Sequence, residues 1–166
     1  FNEGWGQYDT ARIAELVRKR DPTRLVNAAS GWHDMRIGDV HDIHVYPGPS
    51  CPEPEPARAA VLGEFGGLGL PLRGHTWLAE KSWGYRSFTT PAELTDAYVG
   101  LVEKLVPLLT DGGLSAAIYT QTSDVEIEVN GLMTYDRAAV KMDAERITEA
   151  NRKVWWRPSV HRLFAP

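Results

Sequence analysis

Two glutamates in this chain are candidates for chemistry, and one of them stands where a carboxylate is hard to explain by structure alone. Glu64 follows the apolar run Ala59-Ala60-Val61-Leu62-Gly63 and precedes Phe65-Gly66-Gly67. A charge there ends a buried strand, where burial without a partner or a function is costly. Its structural alternative is an ion pair with an arginine. Glu3 lies in Phe1-Asn2-Glu3-Gly4-Trp5-Gly6-Gln7, between an amide and a glycine and just ahead of a helical pattern. Alone it reads as a surface residue favoured near a helix start. Together the two suggest acid and base work on a glycosidic bond, which needs two carboxyl groups facing each other across the scissile bond.

Other polar groups are weaker candidates. His41 and His44 near Asp39 and Asp42 have the side chains of a metal site. Residues three apart on a strand point to opposite faces, however, so the histidines read as core or pocket residues, with no metal site and no cofactor expected. Asp124, Glu126 and Glu128 alternate on one face. They suit calcium, a sugar hydroxyl or a solvated acidic loop, and Asp124 is kept as a pocket contact. Cys51 is the single cysteine, which rules out an internal disulfide and a cysteine-built zinc site. Trp155-Trp156 reads as packing at a helix end.

The elements that must position these groups follow from periodicity and turn signals. Asp9 to Arg20 puts Ile13, Leu16 and Val17 on one helical face, with Asp9 as the cap and Asp21-Pro22 as the stop. Short strands are expected over Leu25–Ala29, Val40–Tyr46, Ala59–Phe65 and Ser115–Gln121. The proline-rich stretch from Pro47 to Pro56 cannot be helical. Gly66 to Thr89, with Trp77, Trp83, Tyr85 and Phe88, reads as a long binding loop. Thr90, Pro91 and Glu93 spell a capping box opening a helix whose stripe runs from Leu94 to Leu108, kinked or ended by Pro107 and closed by Gly112-Gly113. A last helix spans Asp143 to Val154.

With 18 basic and 22 acidic residues among 166, the net charge of −4 argues against a nucleic-acid partner. No apolar run reaches the roughly 20 residues that span a bilayer, and no signal pattern is seen, so no membrane partner is expected and the compartment stays open.

The motifs Asn2-Glu3, Ser30-Gly31-Trp32, Asp39 to Pro49, Gly63 to Gly67 and Tyr119 to Glu126, in this order, resemble the second half of the catalytic barrel of glycoside hydrolase family 2. The resemblance implies an α/β fold, the C-terminal half of a (β/α)8 TIM barrel from the end of strand four through strand and helix eight. Residues 1–166 would then be a partial catalytic domain. The missing N-terminal barrel half and accessory β-sandwich domains of the same polypeptide would be its partners, and the segment alone would be inactive. It further implies a retaining exo-acting β-glycosidase with a carbohydrate substrate, Glu3 as acid/base and Glu64 as nucleophile. Asn2, Trp5, Trp32, His44, Tyr46, Tyr119, Gln121 and Asp124 would bind substrate or support the centre. Within that set Asn2 would meet the sugar 2-hydroxyl, Tyr46 would contact the nucleophile, and Tyr119 stands where family members often have a tryptophan flooring the sugar subsite. The alternatives are a catalytically inactive barrel that binds carbohydrate or a partner, and a metal-dependent hydrolase.

Overall fold

A computed structural model describes residues 1–155, apart from the Trp155 side chain. The elements run α1 (Thr10–Arg20), β1 (Val40–Val45), β2 (Ala59–Gly66), β3 (Leu68–Gly69), β4 (Arg86–Ser87), α2 (Pro91–Thr110), β5 (Ala116–Thr120) and α3 (Ala144–Trp155). One sheet has the order β1-β2-β5, and a second pairs β3 with β4 in parallel. Two compact units are built from this chain, one of residues 1–65 and 107–119, the other, among the described residues, of 66–106 and 120–155. Among the described residues, no helix is long and apolar enough to cross a membrane.

The fold is α/β, but it is not half of a (β/α)8 barrel. A barrel half needs four strands and part of a fifth, each followed by a helix; the main sheet here has three strands. One of the expected strands fails for a visible reason. Leu25–Ala29 forms no strand, because the Asp39 carboxylate accepts the Val26 N–H at 2.7 Å and the Asp39 N–H donates back to the Val26 carbonyl at 2.8 Å. A side chain that satisfies the backbone locally competes with the sheet ladder. Asn27 keeps only an isolated antiparallel bridge to Gly38, and Asn2 only a parallel bridge to Ser30. Between the parallel strands β1 and β2, the crossover carries Pro47, Pro49, Pro52, Pro54 and Pro56 and no helix; prolines lack the N–H a helix requires.

In the first unit the core centres on β2, where Ala60, Val61, Leu62 and Phe65 are buried. Strand β1 inverts the usual pattern: its polar residues Asp42 and His44 are buried, while Ile43 and Val45 are only half-buried. Helix α1 starts as expected, yet Asp9 makes no cap bond and instead pairs with Arg12. It buries Thr10 and Ala14 and leaves Leu16 and Val17 exposed, so the face drawn from periodicity is not the buried one.

In the second unit α2 opens with the expected capping box: Thr90 Oγ1 accepts the Glu93 N–H and Glu93 accepts the Thr90 N–H, each at 3.2 Å. Such a reciprocal pair satisfies two helix-end donors at once. Pro107 lies inside the helix, which runs on to Thr110. The stretch expected to be an irregular loop contains β3 and β4. The packing foreseen for Trp155-Trp156 falls outside the described residues.

Candidate functional site

The site lies wholly in the first unit and is built from three pieces of chain. The Asn2–Ser30 bridge, with the Glu3 N–H donating to the Ser30 carbonyl at 2.5 Å, fixes the segment carrying Glu3. Strand β1 supplies His44 and, just past its end, Tyr46; strand β2 supplies Glu64. The register between these strands slips by one: Ile43 faces Leu62 and His44 faces Glu64, leaving Gly63 as an extra residue. A bulge of this kind re-aims the side chain beside it. Only glycine fits there, because a Cβ on residue 63 would lie 2.2 Å from Asp42 Oδ1.

The two carboxylates meet at the histidine. His44 Nδ1 lies 3.3 Å from Glu3 Oε1 and 3.3 Å from Glu64 Oε2, and these three atoms all fall within 4.8 Å of one another. The Tyr46 hydroxyl donates to Glu64 Oε2. Both glutamates are partly open to solvent, whereas the His44 side chain is completely buried. Glycine is again required behind the ring: a Cβ on Gly31 would sit 2.7 Å from His44 Cγ. Glu3 holds φ at +50°, in the left-handed region. Non-glycine residues pay for that conformation in strain of order 1 kcal/mol or more, and such outliers gather at functional sites.

Beneath the histidine is a buried carboxylate that sequence reasoning set aside with the metal alternative. Asp42 accepts the Asn27 side-chain amide at 2.6 Å and the Gly63 N–H at 2.8 Å. Burial pushes its carboxyl above the usual range, while those two donors and His44 pull it back. The signal was available, since Asp42 and His44 share one side of β1 by alternation.

Two tryptophans close to this histidine strand and to the Glu3 segment are exposed. Trp32 donates its indole N–H to the His44 carbonyl at 3.3 Å, and Trp5 meets Trp32 edge to face at 6.5 Å between ring centres. Asn2 lies on the surface, its Oδ1 3.4 Å from the Ser30 hydroxyl. Tyr119 is half-buried and packs edge-on against Phe65 at 5.6 Å. Gln121 and Asp124 belong to the second unit. There the Gln121 amide donates to Asn130 Oδ1 at 2.9 Å, and Asp124 is buried, bonded by Lys141 Nζ at 2.6 Å and the Gly131 N–H at 2.8 Å. Burial raises the Asp124 carboxyl and lowers the Lys141 ammonium, each opposed by the other's charge. Lys141 also donates to the Leu70 and Val129 carbonyls, so all three of its protons are used.

His41 faces a different group. Asp34, His41 and Glu55 also cluster within 4.8 Å, but the Arg58 guanidinium bonds Asp34 with two nitrogens at 2.7 and 2.8 Å and Glu55 through Nε at 2.8 Å. Hydrogen bonds from Arg58 hold both carboxyls below their ordinary range.

Chemically, Glu3 and Glu64 form a partly exposed carboxylate pair with a phenol donor on one member and an imidazole within 3.3 Å of both. In comparison with known proteins, no family model matches the chain, and no curated protein matches it.

Proposed function

We propose that this site is the two-glutamate centre of a retaining exo-acting β-glycosidase resembling glycoside hydrolase family 2, acting on O-glycosidic bonds. The observation that carries the reading is the closeness of Glu3 and Glu64, one carboxylate oxygen of each lying no more than 4.8 Å from one of the other. Retaining enzymes hold their carboxyl groups about 5–5.5 Å apart, whereas inverting enzymes need about 6.5–9.5 Å to admit water. The reading rests on side chains rather than on a barrel, since function follows the site and not the fold.

The roles follow from the neighbours. Tyr46 donates its O–H to Glu64 and so holds one nucleophile oxygen while leaving the other to attack the anomeric carbon. Glu3, on a backbone segment held by Ser30, protonates the leaving oxygen and then takes a proton from the incoming water. His44 spaces the two carboxylates. Trp5 and Trp32 offer exposed apolar faces of the kind that line ligand sites beside a few placed polar groups.

In the full-length protein, Glu64→Gly should abolish turnover of an aryl glycoside and be rescued by added azide, giving the glycosyl azide of inverted configuration. Glu3→Ala should chiefly slow substrates with poor leaving groups. Exchanged phenotypes would reverse the roles, and rescue of neither variant would remove the mechanism. The tryptophan pair also favours carbohydrate binding without turnover; a wild-type protein that binds sugars but hydrolyses no aryl glycoside would establish that reading instead.

A further inference from the structure

Each nitrogen of the buried His44 ring is directed toward carboxylate. Nδ1 faces Glu3 Oε1 and Glu64 Oε2 at 3.3 Å each. Nε2 is buried with no hydrogen-bond partner, and Asp42 Oδ1 lies 4.0 Å from it. Among the described residues, no lysine or arginine forms an ion pair with Glu3 or Glu64.

We propose that Glu3, His44 and Glu64 form a binding site for a zinc-class divalent cation, and that the bound ion halts turnover by occupying both reacting carboxylates. The inhibitory half of this inference rests on the glycosidase reading above; the cation site does not. Tetrahedral zinc with bonds of about 2.0–2.1 Å places neighbouring ligand atoms about 3.3–3.4 Å apart. Two of the three edges already have that length, at 3.3 Å, and the third is closed by turning two partly exposed carboxylates that lie within 4.8 Å. One nitrogen and two oxygens match zinc better than magnesium or calcium, which favour all-oxygen sites. Three protein ligands leave a fourth position for water.

The unpartnered Nε2 is the independent sign. A metal on Nδ1 leaves the ring proton on Nε2, and ligating histidines nearly always donate that proton to a carboxylate or carbonyl. Asp42 is the carboxylate in place, itself anchored by Asn27 and Gly63. A shift of about 1 Å would complete the bond, bringing 4.0 Å to ordinary hydrogen-bond length.

Calorimetry with Zn²⁺ and visible absorption with Co²⁺, on chelator-treated full-length protein, test the site without relying on activity. One ion should bind per chain, with Co²⁺ bands of tetrahedral intensity. Glu3→Gln, a change at a partly exposed side chain, should weaken binding at least about tenfold, and Asp42→Asn by about 10- to 100-fold. In the same preparations Zn²⁺ should inhibit aryl glycoside hydrolysis competitively and excess chelator should restore it. No uptake, or unchanged affinity in Glu3→Gln, overturns the cation site even where hydrolysis proceeds. Activity that rises with Zn²⁺ overturns the inhibitory role. Uptake without hydrolysis of any glycoside, before or after chelation, overturns the proposed function and its inhibition while leaving the cation site standing.

Discussion

Asp34, His41 and Glu55 bring together two carboxylates and an imidazole, as Glu3, His44 and Glu64 do, in the same compact unit and with their ligand atoms likewise within 4.8 Å of one another. In the first group Arg58 lies between the carboxylates, with only 5% of its side chain exposed, and its three guanidinium nitrogens make four hydrogen bonds to two fixed partners. In the second, among the described residues, no lysine or arginine pairs with the acids, and a phenol and an imidazole face them instead. A carboxylate pair closed by a built-in guanidinium is finished chemistry and serves stability. A pair left without one stays available to a cation or a reacting carbon.

The sharpest way to break this contrast is to neutralise one acid in each group. Glu64→Gln should lower kcat by at least about 10³-fold, within the range that positioned carboxyl groups contribute. Glu55→Gln should leave kcat within about twofold while lowering stability. Equal losses of activity would mean the two groups are not functionally distinct.

Arg58→Ala should then cost about 2 kcal/mol in urea unfolding, below the 3–5 kcal/mol of fully enclosed pairs because Asp34 and Glu55 keep a quarter to a third of their side-chain surface in water. The acid side of the stability curve sharpens the same point. Arg58 depresses both carboxyls, so the stability they contribute is complete above the ordinary carboxylate range of about pH 4 and is lost as pH falls below it. Arg58→Ala should flatten that acid limb, as followed by thermal melts between pH 7 and pH 3. The smallest effect is expected at the open group's rim: Trp5→Ala should raise KM about five- to tenfold, equivalent to about 1–1.4 kcal/mol, with stability changed by less than about 0.5 kcal/mol.

The parts of the site that the sequence made legible were those written in local pattern. Glu64 stood out because an apolar run ended on a charge, and Tyr46 and His44 because strand alternation puts them on one side. The parts that were not legible depend on distant partners. Nothing local announces that Asp39 will take the Val26 N–H and so remove a strand from the expected barrel. The slip at Gly63 is also silent in sequence, since a glycine before a glutamate serves equally well in a regular strand. Arg58 was overlooked although Glu55, three residues earlier, hints at a local pair; its stronger fork to Asp34 crosses 24 residues. Lys141 left one signal, a lone cation between Val140 and Met142, which here means a buried ammonium with three acceptors.

Under the glycosidase reading proposed above, the left-handed backbone at Glu3 sets stability and catalysis against each other at a single codon. Glycine at that position would relieve the φ of +50°, at the loss of the carboxylate that both the proposed turnover and the proposed cation site need. A library selected only for resistance to heat should therefore drift away from glutamate at position 3, whereas one selected for growth on the substrate should hold it. The divergence between those two lineages would record, in replacement frequencies rather than in rates, how much strain the protein carries for its chemistry.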